Sequence, residues 1–167
     1  RNNFLSNTHM AETFCPDRID KLILDHLQRD ATLSMQQLSE LTHLSPTPCW
    51  RRVQRLEQEG YIQRRVALLA PDKLNVGVTV FVSIRTHHHN DEWMKKFCGV
   101  VATIPEIVEF YRMSGDTDYL LRVVVPDVSG YDAIYKRLVR NVDFAGVSSS
   151  FAMEQIKYTT ALPLVYI

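Results

Sequence analysis

Apolar residues recur every three or four positions along the first third of the chain and predict three short helices. The first covers residues 17–28, and the second begins at Ser34, which has capping-box spacing with Gln37. The third opens at Ser45, a preferred N-cap residue, and closes at Gly60. Because only a few residues separate the second and third helices, the pattern predicts a helix-turn-helix.

The pattern changes after Pro71, where runs rich in valine and phenylalanine alternate with helical periodicities. The predicted order is strand 76–86, helix 91–103, strand 107–113, strand 119–125, helix 129–141 and strand 147–157. This βαββαβ order predicts a ferredoxin-like fold, an antiparallel sheet with two helices on one face. The whole chain is therefore predicted to be of the α+β class.

Five segments follow from these patterns. Residues 1–16 are expected to be a tag remnant or a disordered arm, because they are polar and the pair His9-Met10 is typical of a tag joined to a start codon. The other segments are a winged helix-turn-helix at 17–66, a linker at 67–75, a ferredoxin-like effector and oligomerisation domain at 76–158 and a tail at 159–167. Residues 61–69 are predicted to be extended, as a wing or a linking strand.

The composition indicates the general class of protein but does not identify a binding partner. Hydrophobic residues make up 46% of the chain and charged residues 23%, and the formal net charge is zero. No apolar run approaches the roughly 20 residues of a membrane helix, and no signal peptide is apparent. The three cysteines lack paired spacing, so we expect reduced thiols and a cytoplasmic location.

Positive charge is nevertheless concentrated around the third helix. Residues 45–66 hold five arginines against two glutamates, a net +3 that the rest of this neutral chain must balance. A basic stripe can be merely the solvated face of a helix, but the short turn before it and the basic segment after it favour DNA binding. The residues predicted to contact DNA are Ser45, Thr47, Pro48, Arg51, Arg52, Arg55, Arg64 and Arg65. Trp50 is expected to pack against the first helix.

Several motifs, in this order, resemble those of the leucine-responsive and asparagine-responsive (Lrp/AsnC, feast/famine) transcriptional regulators. They are Asp17-Arg18-Ile19-Asp20, Leu44 to Cys49, Arg55-Leu56-Glu57, Gly60-Tyr61-Ile62, Ala67-Leu68-Leu69 with Pro71, Ser114 to Leu121, Val125-Pro126-Asp127, and Met153-Glu154 with Ile156-Lys157. The resemblance implies a regulator that binds double-stranded DNA at a palindromic operator. It also implies that the second half pairs into dimers and larger oligomers and binds an effector, usually an amino acid, at the assembly interface.

Carried onto this chain, the resemblance implies an effector site made of two groups of residues. These are Arg112, Met113, Gly115, Asp116, Asp118 and Tyr119 around one loop, and Ser149, Ser150 and Phe151 on the last strand. Backbone N–H groups near Gly115 suit a carboxylate, and an aspartate suits an ammonium group, although Gly115-Asp116 is also a common hairpin turn. The closing segment resembles a subgroup that responds to branched or sulfur-containing amino acids such as leucine, methionine or cysteine.

Other classes of function have weaker support in the sequence. No nucleophile lies beside a base and no phosphate loop is present, so we expect neither an enzyme nor catalytic residues. His87 and His89 suit a metal by strand alternation, but a polar loop is the preferred interpretation, and no metal or cofactor is predicted. Cys98 is expected in the core. The remaining alternative is a stand-alone amino-acid sensor or assembly module.

Overall fold

The computed structural model describes residues 14–167 and divides them into two compact units. The first comprises the described residues up to Ala67 together with Tyr158–Ile167, and the second comprises Leu68–Lys157. Most of the arm predicted at residues 1–16, including the suspected tag, lies outside the described residues. Phe14 packs against the core of the first unit and Pro16 is buried, so these two residues belong to the helical unit and not to an arm.

Three helices form the first unit: α1 (Arg18–Arg29), α2 (Met35–Leu41) and α3 (Pro46–Gln58). Asp17 caps α1 through a capping box with Asp20, and Ser34 caps α2 through the predicted box with Gln37. Ser45 is the N-cap residue of α3, but its side chain makes no capping hydrogen bond. The helix-turn-helix is confirmed.

The core of the first unit lies where the three helices meet. Ile23 of α1, Leu38 of α2 and Leu56 of α3 are each at most 1% exposed. Leu164, from the tail predicted at residues 159–167, packs against this same cluster. Trp50, which is predicted to pack against α1, is 51% exposed and is not part of this cluster.

The connection between the units is extended but pairs with no strand among residues 14–167. Residues 63–70 carry no regular structure, and a short 3-10 turn follows at Pro71–Leu74. The wing predicted at residues 61–69 thus forms no strand and no hairpin within residues 14–167.

The second unit consists of β1 (Val78–Arg85), α4 (Asp91–Ala102), β2 (Ile107–Arg112), β3 (Tyr119–Val125), α5 (Val128–Asn141) and β4 (Gly146–Phe151). The strands form one antiparallel sheet in the order β2-β3-β1-β4, which confirms the ferredoxin-like fold. Buried residues of β1 and β3, including Val82 and Leu121, pack with Phe97 of α4 and Leu138 of α5.

The last strand is shorter than predicted, because it ends at Phe151 and not at residue 157. Phe151 pairs with Val80, and the N–H of Ala152 makes one further hydrogen bond, 2.9 Å long, to the carbonyl oxygen of Thr79. β1 begins at Val78, so the residues of the chain after Ala152 lie beyond the end of β1 and have no strand to pair with. A strand needs a neighbour for its hydrogen bonds, so residues 152–157 leave the sheet.

Candidate functional site

The exposed start of α3 carries the residues predicted to meet DNA bases. Ser45, Thr47, Pro48 and Arg51 are all exposed. Arg51 forms no ion pair with any residue of the described range 14–167. A free guanidinium near the N-terminal end of the second helix of a helix-turn-helix is suited to bidentate hydrogen bonding with guanine.

Arg52 and Arg55 are held differently, because both bind the buried carboxylate of Asp20. Arg52 Nη1 lies 2.7 Å from Asp20 Oδ1 and 2.7 Å from Asp17 Oδ2. Arg55 Nη2 lies 3.0 Å from Asp20 Oδ2, and the Asp20 side chain is fully buried at 0% exposure. Both arginines remain partly exposed, at 28% and 46%. These three ion pairs therefore brace α3 against the start of α1.

The arginines of this ion-pair cluster also lower the pKa of Asp17 and contact the ring of Phe14. Burial would raise the pKa of Asp17, but the backbone N–H of Asp20 and the Arg52 guanidinium outweigh it, so the pKa lies below its ordinary value. The guanidinium carbon of Arg55 lies 4.2 Å from the centre of the Phe14 ring, within cation–π range. Arg51, Arg52 and Arg55, with Pro48, line an open depression of about 320 Å³. Three arginine side chains around one depression favour a negatively charged group there.

The two predicted arginines after α3, Arg64 and Arg65, also differ in whether they have an ion-pair partner. Arg65 Nη2 lies 2.9 Å from Glu57 Oε1, so its charge is partly neutralised within the unit. Arg64 is exposed and makes no ion pair within residues 14–167. Of the predicted arginines, Arg51 and Arg64 are thus free to contact DNA, whereas Arg52, Arg55 and Arg65 are oriented by intramolecular partners.

The loop between β2 and β3 holds the first group of predicted effector residues. Gly115 adopts φ +108°, a conformation that favours glycine, and the N–H of Met113 donates to the carbonyl oxygen of Asp118 over 2.8 Å. One carboxylate oxygen of Asp118 accepts the Thr86 N–H at 2.8 Å, which ties the loop to the end of β1. Asp116 is exposed and makes no hydrogen bond within the described chain.

Tyr119 was predicted to line the effector site, but it lies in the core at 4% exposure. Its ring centroid is 5.6 Å from that of Trp93 and 5.6 Å from that of Phe97. The alternation of β3 explains the position, because Tyr119 shares its face with Leu121, which points towards the helices. Arg112 is in register with Tyr119 at the exposed edge strand.

The second predicted group, on β4, is split between the two faces of the sheet. Ser149 is in register with buried Val82, and its hydroxyl hydrogen-bonds the hydroxyl of Tyr131 on α5. Phe151 is on the same face, with its ring 5.5 Å from the Tyr131 ring. Ser150 lies on the opposite face, in register with Phe81. Burial raises the pKa of Tyr131 although the Ser149 hydrogen bond opposes the shift, so the tyrosine hydroxyl stays protonated at neutral pH.

The two groups do not meet within one chain. Tyr119, next to the loop, pairs with Ile84 of β1, whereas Phe151 pairs with Val80 at the other end of that strand. Four residues along a strand span about 13 Å, and the two strand spacings between β3 and β4 add about 10 Å sideways. The groups therefore lie at diagonally opposite corners of the sheet.

Sequence reasoning missed three residues that shape these sites. It assigns Asp17, Asp20 and Tyr131 to neither the DNA-contacting residues nor the effector site. The carboxylate of Asp20 binds arginines 32 and 35 positions away, a pairing that no local spacing rule indicates. The available signal was the pair of acidic residues in the first turn of one helix and the arginines on another.

The other candidate chemistry of the sequence finds little support in the fold. Within residues 14–167, no three His, Cys, Asp or Glu side chains are grouped to hold a metal, and His88 instead contacts Asp143 at 3.2 Å. Cys98 is exposed and not in the core, because on α4 it is rotated away from its buried neighbour Phe97. No helix in this range is long and apolar enough to cross a membrane.

Two family models match the chain along most of its length. The model for winged helix-turn-helix DNA-binding domains matches residues 16–63. The model for the Lrp/AsnC ligand-binding domain matches residues 79–162. The boundary between the matches falls in the extended connection and the 3-10 turn described above.

Individual relatives agree with these matches. The chain is 52% identical over 149 residues to the DNA-binding transcriptional activator DecR of Escherichia coli, covering 89% of this chain and 98% of DecR. An AsnC family transcriptional regulator from Agrobacterium tumefaciens is 61% identical with a TM-score of 0.87, covering 90% of this chain and 99% of that structure. A transcriptional regulator from Neisseria meningitidis, solved as a complex with L-Met, is 32% identical with a TM-score of 0.86, covering 90% and 97%. The chain therefore belongs to the Lrp/AsnC family of DNA-binding transcriptional regulators, in which a winged helix-turn-helix is joined to a ligand-binding domain of ferredoxin-like fold.

Proposed function

We propose that two copies of this chain bind a palindromic operator through paired α3 helices and that a free amino acid changes the affinity. The observation that supports operator reading best is the state of the arginines on α3. Arg51 is free at the exposed start of the helix, while Arg52 and Arg55 are fixed by Asp20. A fixed helix with one free arginine is suited to reading a base, and the neighbouring charges favour phosphate.

The effector that we propose is a branched or sulfur-containing amino acid, with L-methionine as the first candidate. The Neisseria regulator that was solved with L-Met shares 32% of its residues with this chain and a similar fold. The aromatic rings of Tyr131 and Phe151, 5.5 Å apart, offer an apolar wall to such a side chain. Thioether sulfur makes favourable contacts with aromatic rings, which suits methionine at this wall.

We place the effector between copies of the chain, because its two groups of candidate residues lie at opposite corners of one sheet. In this arrangement the loop at Gly115 and Asp116 comes from one copy, and Ser149 and Phe151 come from another. Asp116 is the proposed partner of the ammonium group, since one oxygen of Asp118 already binds the Thr86 N–H. Backbone N–H groups beside Gly115 would bind the carboxylate.

We propose that two copies pair through the open face of the sheet, opposite to Ser149 and Phe151, and that the effector site lies at a second contact between such pairs. Phe81 and Tyr111 on this face are 39% and 49% exposed, and Leu120 and Val124 are half-buried. The same face also carries Arg122, which pairs with Glu109, so its apolar side chains lie beside an ion pair. A sheet face with exposed aromatic and aliphatic side chains usually packs against another layer. A second copy of the same sheet supplies such a layer by two-fold symmetry.

A complementation experiment tests this arrangement. Each single variant, Asp116→Asn and Phe151→Ala, should lose the rise in melting temperature that saturating L-methionine gives the parent. If the site lies between copies, refolding the two variants together should restore about a quarter of the sites, those that draw the intact loop from one copy and the intact strand from the other. Asp132→Asn, an exposed change on α5 remote from the loop, is the matched control.

The outcomes separate the parts of the proposal. Calorimetry that detects no recovery in the mixture, although each variant is folded, would place the whole site within one chain. A parent that responds to none of the twenty amino acids would refute the proposed effector class. Ligand binding without any selected DNA sequence would favour the stand-alone sensor.

A further inference from the structure

Residues 161–167, which we call the strap, return from the ligand-binding unit to the DNA-binding unit. The sheet ends at Phe151, and residues 152–160 are exposed throughout. From Tyr158 onwards the chain belongs to the same compact unit as α1, α2 and α3. The DNA-binding unit is thus joined to the second unit by two covalent connections, one after Ala67 and one before Tyr158.

The strap is held on α1 by specific contacts. The side-chain amide of Gln28 donates from Nε2 to the carbonyl oxygen of Leu162 over 3.1 Å and accepts the Leu162 N–H at Oε1 over 2.8 Å. A primary amide that makes both bonds to one residue binds it as a neighbouring strand would. Lys21 Nζ also donates to the carbonyl oxygen of Ile167. The contacts therefore span most of the strap.

Burial within the strap is selective. Leu164 packs into the core cluster of the first unit, whereas Val165 and Tyr166 are 80% and 85% exposed. These hydrogen bonds and the packing of Leu164 must offset the backbone entropy that the strap loses when it is ordered. The strap is therefore held on the first unit by one partly buried leucine and a few hydrogen bonds.

We propose that the strap is a second tether through which the ligand-binding unit restrains the DNA-binding unit. The connection after Ala67 follows α3 in the chain, whereas the strap holds α1, which precedes α3. The DNA-binding unit is therefore restrained through two connections and not only through the one after Ala67. A restrained pair of helices has a higher effective concentration for the second half of a two-part DNA site. The strap follows β4, so a ligand that contacts Ser149 or Phe151 acts on the strand that leads into this tether.

This inference rests on the proposed reading of a palindromic operator, and its test compares whole and half sites. Duplexes are first selected from a random pool by the parent protein. Affinity for a selected two-half-site duplex and for a duplex with one half-site is then measured by fluorescence anisotropy at one salt concentration. The variants are a deletion of residues 161–167 and Gln28→Leu. The leucine keeps the bulk of the side chain and loses both hydrogen bonds to Leu162, together with the longer one, 3.3 Å, to Asp25. Val165→Ala, on the exposed side of the strap, is the control.

We expect the deletion and Gln28→Leu to weaken binding of the two-half-site duplex by about tenfold and to leave half-site binding unchanged. Val165→Ala should change neither affinity. Equal affinities for parent and both strap variants would overturn the inference while leaving the proposed function intact. An equal loss on both duplexes would also overturn it, because that result indicates damage to α3 itself. A parent that selects no two-half-site duplex would refute the proposed function, and the tether with it.

Discussion

Asp20→Asn removes a buried carboxylate and keeps its shape, so it isolates the bracing of α3 by α1. In the parent, Asp20 accepts hydrogen bonds from Arg52 at 2.7 Å and from Arg55 at 3.0 Å. It also accepts the backbone N–H of Asp17 at 3.1 Å as part of the capping box. An asparagine keeps one acceptor oxygen, but its amide nitrogen presents a donor to one of the two guanidinium groups.

The expected cost follows from the burial of the partners. Removing one member of a fully buried pair costs about 3–5 kcal/mol, because the other charge is left without solvent or partner. Here the two arginine side chains are 28% and 46% exposed, so water can solvate their charges when asparagine replaces Asp20. We therefore expect a loss of about 2–3 kcal/mol, within the range for hydrogen bonds to charged groups.

Hydrogen exchange measured by mass spectrometry localises this loss within the two-unit chain. Amides of α1 and α3 that exchange through opening of the first unit should exchange about 30- to 150-fold faster in Asp20→Asn, as 1.4 kcal/mol corresponds to a factor of ten. Amides of β3 should be unchanged and provide an internal reference.

Asp25→Asn is the matched control, since Asp25 pairs with Arg29 on the exposed surface of the same helix. Exposed ion pairs contribute little, so this variant should exchange like the parent. If Asp20→Asn and Asp25→Asn behaved alike, the bracing of α3 by a buried carboxylate would be refuted.

Three further predictions concern base recognition by α3, stability at low pH and the reactivity of the cysteine thiols. Arg51→Gln should weaken operator binding by about 1–3 kcal/mol and relax preference at one base pair, measured by competition among single-base operator variants; equal loss on all of them would assign Arg51 to phosphate instead. The lowered pKa of Asp17 stabilises the fold above the ordinary aspartate pKa of about 4 and ceases to do so as pH falls through the lowered value. The stability difference between the parent and Asp17→Asn should therefore shrink in acid unfolding experiments below about pH 4, and a constant difference would contradict it. Burial raises the pKa of the Cys49 thiol, although Thr42 opposes the shift, so iodoacetamide at pH 8 should modify the two exposed cysteines and spare Cys49 until the protein unfolds.

Local signals in the sequence were sufficient to predict the elements of both units. The capping box of Ser34 and Gln37 forms as predicted, because its two hydrogen bonds join residues three positions apart. The strand and helix order of the second unit was likewise evident from periodicities of two and 3.6 residues. Such signals depend on neighbours in the chain and not on the final packing.

Features that depend on distant partners were not predictable in this way. The end of β4 at Phe151 is set by the start of β1, some seventy residues earlier in the chain. Tyr119 was assigned to the effector site by motif, yet the alternation of its strand turns it into the core. The strap on α1 depends on a side-chain amide meeting a backbone group 134 positions away. These contacts appear only when the fold brings the segments together.

The most direct test of the account is the affinity for a selected operator duplex with and without the amino acid that raises the melting temperature. Coupling between an effector site and a DNA site amounts to about 1–3 kcal/mol in allosteric proteins, so saturating ligand should change operator affinity by about 5- to 150-fold. By the reciprocity of linkage, the duplex should change the affinity for the amino acid by the same factor. An amino acid that binds the ligand-binding unit tightly and leaves operator affinity unchanged would contradict a regulator controlled by that ligand.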